Sequence, residues 1–236
     1  MAGSASAAGS SLVDPPRLVD APRLIDGPAD AAATLLLAHG SGAPMDSPFL
    51  QAIATGLAGR GWRVVRFEFP YMARARLTGR RGGPDRLETL LDAFRSQVAL
   101  EPGDRPLILG GKSLGGRVAS LLLDELAAGG ACRGGTVMGG LCLGYPFHPP
   151  GRPQQLRTEH LRTLQTPALI LQGERDPFGK PQEVQGYDLS PQLQIAWIPH
   201  GDHSFTPSRR SGLSAADNWS LAVEHADRFC RRLLVG

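Results

Sequence analysis

Gly110-Gly111-Lys112-Ser113-Leu114-Gly115-Gly116-Arg117 can be read in two frames, and the choice between them decides the fold. Read as G-K-S, it suggests a nucleotide-binding loop of the form G-x-x-x-x-G-K-[ST]. That motif needs a first glycine at 106, where the chain has Pro106, and Leu107-Ile108-Leu109 is an apolar strand pattern that leaves no long loop to wrap phosphates. Read as G-x-S-x-G, Gly111-Lys112-Ser113-Leu114-Gly115 follows a strand and opens a helical pattern at Leu114–Leu126, which is the setting a sharp strand-to-helix turn requires. Both glycines then have a purpose, because side chains two positions either side of the serine would collide with neighbouring backbone. The alternative role for Ser113 is to cap the helix that follows, and the two roles are compatible.

Outward from this turn, apolar runs alternate with helical periodicity. Thr34–Ala38, Arg63–Phe69, Leu107–Leu109, Thr136–Cys142, Ala168–Leu171 and Leu193–Ile198 read as strands. Between them, Ser47–Leu57, Arg86–Leu100, Leu114–Leu126 and Ala215–Leu234 read as helices, with shorter helical character around Thr158–Leu164. Strands separated by single helices cannot pair as hairpins. The expected fold is therefore α/β, a doubly wound and mainly parallel sheet with helices on both faces. Ligands in such folds gather at the carboxyl ends of the strands.

A serine hydroxyl needs a base, and the base needs an orienting carboxylate. The segment after Ala168–Leu171 supplies Glu174 and Asp176, and the segment after Leu193–Ile198 supplies His200, Asp202 and His203. Of these, Asp176 and His203 are the stronger candidates. His203 lies further out on its loop than His200, and Asp202 is adjacent to the histidine and points elsewhere; Glu174 and Asp188 are weaker acids for the role. His39 is expected to support its loop through hydrogen bonds. Lys112 and Lys180, the only two lysines, flank these segments but receive no role.

His39-Gly40-Ser41-Gly42, the GKSLG turn, GERDPFG and GDHSF together resemble a small α/β-hydrolase of the dienelactone hydrolase-like group. Within that group the chain is most similar to hydrolases related to a domain in a histone acetyltransferase complex subunit, over residue 34 to the C terminus. The resemblance implies Ser113 as nucleophile, His203 as general base, Asp176 as its orienter, and the backbone N–H groups of Ser41 and Leu114 as an oxyanion hole. It also implies hydrolysis of a small acyl substrate, whether carboxylester, thioester, lactone or peptide, with no cofactor and no metal. The segment Gly144–Thr158 is too short and too rich in proline and glycine for a helical cap, so an open site with no large cap is expected. The competing expectation is a hydrolase-like scaffold that acts in protein association.

At 236 residues one domain is the default, and 42% hydrophobic with 20% charged residues excludes wholesale disorder. Residues 1–33, rich in Ala, Ser, Pro and Asp, read as a loose tail with one or two edge strands, and residues 34–236 as the domain. A small echo runs from Pro16–Asp20 to Pro22–Asp26. The net charge of +3 comes from dispersed arginines, which argues against nucleic acid as a partner. Arg74, Arg76, Arg80, Arg81 and Arg86 crowd what reads as an Arg-rich loop over Tyr71–Asp85, and solvated charge is the favoured account of them over anion recognition. Cys132, Cys142 and Cys230 lack metal-ligand or disulfide spacing and read as buried thiols. The first residues lack the cationic start and apolar core of a secretory signal, and no run approaches a membrane span. A cytoplasmic protein is expected.

Overall fold

The computed structural model describes residues 22–129 and 135–235. Cys132 and the first copy of the Pro16–Asp20 echo lie outside the described residues. The elements in chain order are β1 (Arg23–Asp26), β2 (Thr34–Ala38), α1 (Pro48–Ala58), β3 (Arg63–Phe67), α2 (Pro70–Thr78), α3 (Leu87–Ala99), β4 (Leu107–Lys112), α4 (Leu114–Ala128), β5 (Val137–Leu143), β6 (Ala168–Gly173), α5 (Pro181–Val184), β7 (Leu193–Ile198) and α6 (Ala215–Val235). Among these residues the strands form one sheet in the order β1-β3-β2-β4-β5-β6-β7. All its pairings are parallel except β1 with β3.

The central strands are buried on both faces, and their side chains divide by alternation. Leu36, Val65, Phe67, Leu109 and Ile170 face the layer that contains α3 and α4. Leu35, Leu37, Val64, Ile108 and Leu171 face α1 and α6. Each such run buries apolar surface twice, which explains why the strands read as continuous apolar stretches. No helix of the described residues is long and apolar enough to cross a membrane.

The second copy of the echo forms the antiparallel edge strand β1, in register with β3 from Arg23 opposite Phe67 to Asp26 opposite Val64. Two ionic ties hold it. The buried Glu101 carboxylate accepts from both Arg23 and Arg63. Arg66, 2% exposed, donates to Asp26 Oδ2 at 2.8 Å and to the Met45 carbonyl at 2.9 Å. The sheet therefore begins ahead of residue 34.

Two expectations are corrected. Tyr71–Asp85 is not one loop, because its first half is α2. Pro70 enters as the first helical residue, where its missing N–H costs nothing, and Gly79 ends the helix in the left-handed conformation at φ 69°. Its arginines are spread around a short helix with only Tyr71 and Ala73 buried, so no apolar stripe announces it. Around Thr158–Leu164 only a single 3-10 turn forms, Glu159–Leu161. Ser47 does stand at the N-cap of α1, although its hydroxyl makes no capping bond.

The turn from β4 to α4 is tightly packed against the end of β2. Ser113 is held at φ 51°, ψ −111°, outside the regions an L-residue ordinarily occupies. A Cβ on Gly115 would lie 2.5 Å from the Ala38 carbonyl oxygen and 2.6 Å from that of His39, both rigid backbone. Gly115→Ala is accordingly expected to destabilise the protein by about 3 kcal/mol, read as a lower midpoint of denaturant unfolding with unchanged slope.

Candidate active site

Parallel register brings the carboxyl ends of five adjacent strands together, and each candidate residue follows one of them. His39–Ser41 leave β2, Ser113 leaves β4, Gly144 leaves β5, Asp176 follows β6 and His203 follows β7. Ala38 is level with Gly111, and the Ser113 N–H donates to Leu143 O at 3.0 Å, which ties the turn to the end of β5.

Asp176 and His203 are brought into direct contact, with Nδ1 of the imidazole 2.7 Å from Oδ2 of a carboxylate that has no solvent exposure. The same Oδ2 accepts from Gln172 Nε2 at 2.9 Å, and Oδ1 accepts from the Phe178 N–H at 2.9 Å. The fully buried carboxylate thus accepts from three donors, as burial of a polar group requires. The Phe178 ring packs on the imidazole with centroids 4.3 Å apart. Burial holds the His203 pKa below its ordinary value, the hydrogen bond to Asp176 opposes this, and the positive charge of Lys112 adds to the lowering. The imidazole is therefore neutral near pH 7, with Nε2 free to take a proton.

Ser113 occupies the strained turn without capping α4, so its hydroxyl is not committed to that helix. Its Cβ lies 3.7 Å from the place a Cβ on Gly40 would take, which sets the His39–Ser41 loop against it. No hydrogen bond joins Ser113 to the His203 imidazole in this structure, whose Nδ1 is bound to Asp176. Leu114 is the first residue of α4, where N–H groups have no intrahelical acceptor. Neither its N–H nor that of Ser41 donates to a backbone carbonyl among the described residues.

The remaining candidates separate cleanly. His39 is fully buried with both ring nitrogens engaged: Nε2 accepts from the Phe69 N–H at 3.0 Å, which leaves Nδ1–H to donate to Gly40 O at 2.6 Å. Burial lowers its pKa, and it supports the loop. His200 is exposed, and Asp202 Oδ1 accepts from the N–H groups of Ser204 and Thr206 within its own turn. Glu174 accepts from the His200 N–H, and Asp188 pairs with Arg162 at the surface. Of the arginine group, Arg74 pairs with Asp85, and Arg76 with Glu68 and Asp46; Arg80, Arg81 and Arg86 are exposed. A cleft of about 400 Å³ opens beside Ser41 and is walled by Tyr71, Met72, Arg76 and Arg81, but its lining includes neither Ser113 nor His203. The Gly144–Thr158 segment carries no helix and turns inward, burying Tyr145, Phe147 and His148.

Two supporting residues have no sequence motif. Gln172 is buried near the end of β6 and uses both ends of its amide, with Oε1 accepting from the Tyr145 N–H at 2.7 Å while Nε2 serves Asp176. Asn218 in α6 donates to Pro199 O and Phe205 O, and so closes the base of the loop that presents His203. That loop also contains two left-handed residues, His200 and the buried Phe205.

Est1E from Butyrivibrio proteoclasticus is similar at TM-score 0.64 and 14% identity, over 91% of this chain and 94% of its own. The dienelactone hydrolase from Anabaena variabilis is similar at TM-score 0.60 and 20% identity, over 86% and 88% of the two chains. XC6422 from Xanthomonas campestris, described as an α/β serine hydrolase without lid, is similar at TM-score 0.55 and 20% identity, over 87% of each. These likenesses concern the fold. Residues 31–231 match the model of the alpha/beta hydrolase domain, and with that match added to the parallel sheet and its strained turn, the chain belongs to the α/β-hydrolase family.

Proposed function

We propose that the protein is a serine hydrolase that cleaves small esters or thioesters through an acyl-enzyme. The observation that carries this reading is the Asp176–His203 hydrogen bond, made by a wholly buried carboxylate to an imidazole whose other nitrogen is free, beside a strained turn that carries an uncommitted serine.

Ser113 Oγ attacks the substrate carbonyl carbon as its proton passes to His203 Nε2. The resulting imidazolium is stabilised by Asp176 through Nδ1–H. The N–H groups of Leu114 and Ser41 receive the oxyanion of the tetrahedral intermediate. Collapse expels the alcohol or thiol, which takes the proton from Nε2. Water then attacks the acyl carbon as it gives a proton to the same nitrogen, and collapse breaks the bond to Ser113 Oγ, which takes that proton back as the acid leaves. The Ser113–His203 hydrogen bond that this requires forms as substrate binds, since such bonds are often long in the unliganded enzyme.

The Gly144–Thr158 segment carries no helical cap, which suits small acyl substrates. The lidless hydrolase and the dienelactone hydrolase among the structural relatives support that class. Reaction with a fluorophosphonate is the direct test: one phosphonyl group per chain is expected, mapped by peptide mass spectrometry to Ser113. A folded protein that takes no label leaves the fold as a scaffold for protein association and ends the catalytic reading.

A further inference from the structure

Lys112 is the last residue of β4, immediately before Ser113, and only 9% exposed. Its Nζ donates to the backbone carbonyl of His203 at 2.5 Å and lies 5.5 Å from the centre of the Phe49 ring. Space for the amine comes from Gly144, left-handed at φ 67°. A Cβ there would fall 2.9 Å from Nζ and 2.8 Å from the His203 carbonyl oxygen. Strand β4 thus reaches past the end of β5 to hold the loop after β7.

We propose that Lys112 is a positioning residue for His203, clamping the backbone of the histidine's loop to the strand that carries Ser113. In its protonated form the amine also disfavours a proton on the ring. The inference rests on the assignment of His203 as the base. A buried ammonium is costly unless a partner or a function compensates for it. The single hydrogen-bond acceptor here is a neutral carbonyl, and the carboxylates that bear on Lys112 are Asp176 and Asp202. Burial dominates, and it pulls the lysine pKa down to about 7. The charged groups facing His203 are the same two carboxylates, from its own loop and from the loop after β6, and Lys112 from β4. Lys112 alone among them opposes protonation of the ring. Methionine has nearly the same shape and would fill the site without the desolvation cost.

The test measures fluorophosphonate labelling of Ser113 from pH 5 to 9 in the wild type, Lys112→Met and Lys112→Gln, with Ser113→Ala as the blank and thermal unfolding alongside. Lys112→Met is expected to label about tenfold more slowly at pH 7 and to move the acid limb up by about one pH unit, while unfolding no earlier than the wild type. Lys112→Gln keeps a donor without the charge. It should shift the limb as far while losing less of the plateau rate, and it serves in place of the methionine variant should that one not fold. Wild-type rates and limb in either folded variant overturn the inference and leave the proposed function standing. So does slower labelling that follows lost stability with the limb unmoved. Absence of Ser113 labelling in the wild type removes the function itself.

Discussion

Replacing Ser113 with alanine is expected to lower kcat/KM for an activated ester such as 4-nitrophenyl acetate by about 10⁶-fold, with the fold intact. The size of the loss follows from the proposed role of the hydroxyl, which would make the covalent bond to the substrate. What would remain is the background reaction, assisted by the proposed oxyanion donors, the Leu114 and Ser41 N–H groups. The fold survives because the Ser113 side chain makes no capping bond that the substitution would break. The strain at φ 51° resides in the backbone and is the same for alanine. Initial rates across substrate concentrations, with circular dichroism as the check on folding, read this result. A variant within tenfold of the wild type would show that the measured hydrolysis arises elsewhere.

Asp176→Asn comes next, with an expected loss of about 10⁴-fold in kcat and little change in KM. Every atom facing this carboxylate is a donor: His203 Nδ1–H and Gln172 Nε2–H at Oδ2, and the Phe178 N–H at Oδ1. An amide must turn its NH₂ toward one side or the other. Facing Phe178, it opposes a backbone donor that cannot rotate. Facing Oδ2, it opposes the Gln172 amide and makes His203 accept at Nδ1, which places the imidazole proton on Nε2, where the nucleophile's proton must go. Each orientation leaves a buried donor unpaired, and the second also fixes the wrong tautomer. Steady-state kinetics give the split between kcat and KM. An NMR titration of the His203 ring reports the tautomer, and an unchanged ring tautomer with unchanged kcat would remove Asp176 from the role of orienter.

The parts of this arrangement that could be read from the sequence are those whose cause is local. Leu35-Leu36-Leu37 reads as strand because alternate residues feed two apolar layers, and the G-x-S-x-G spacing reads as a turn because Gly111 and Gly115 meet the Ala38 backbone. Asp176 and His203 stand out because their segments follow strand ends. The parts that escaped are those whose cause is tertiary. Helix α2 rests on its end signals, Pro70 and Gly79, with no apolar face to give it a period. Gln172 is one polar residue in an apolar strand, and only the fold shows that its amide meets Asp176. Asn218 lies 15 residues beyond His203 in sequence and reaches its loop by a helix start. Lys112 looked like half of a nucleotide motif, and its carbonyl partner lies 91 residues away.

Strand β1 lies ahead of the stretch that defines the family, yet it completes the sheet. A polypeptide trimmed to start at residue 31 would bare the ladder of β3 from Val64 to Phe67, a ready template for pairing with another chain. It would also leave Glu101 with one guanidinium instead of two and free Arg66 from Asp26, loosening its hold on the segment that leads from Ser41 to α1. Residues Arg23–Asp26 thus act as a selvedge, keeping the woven edge of β3 from catching on its neighbours.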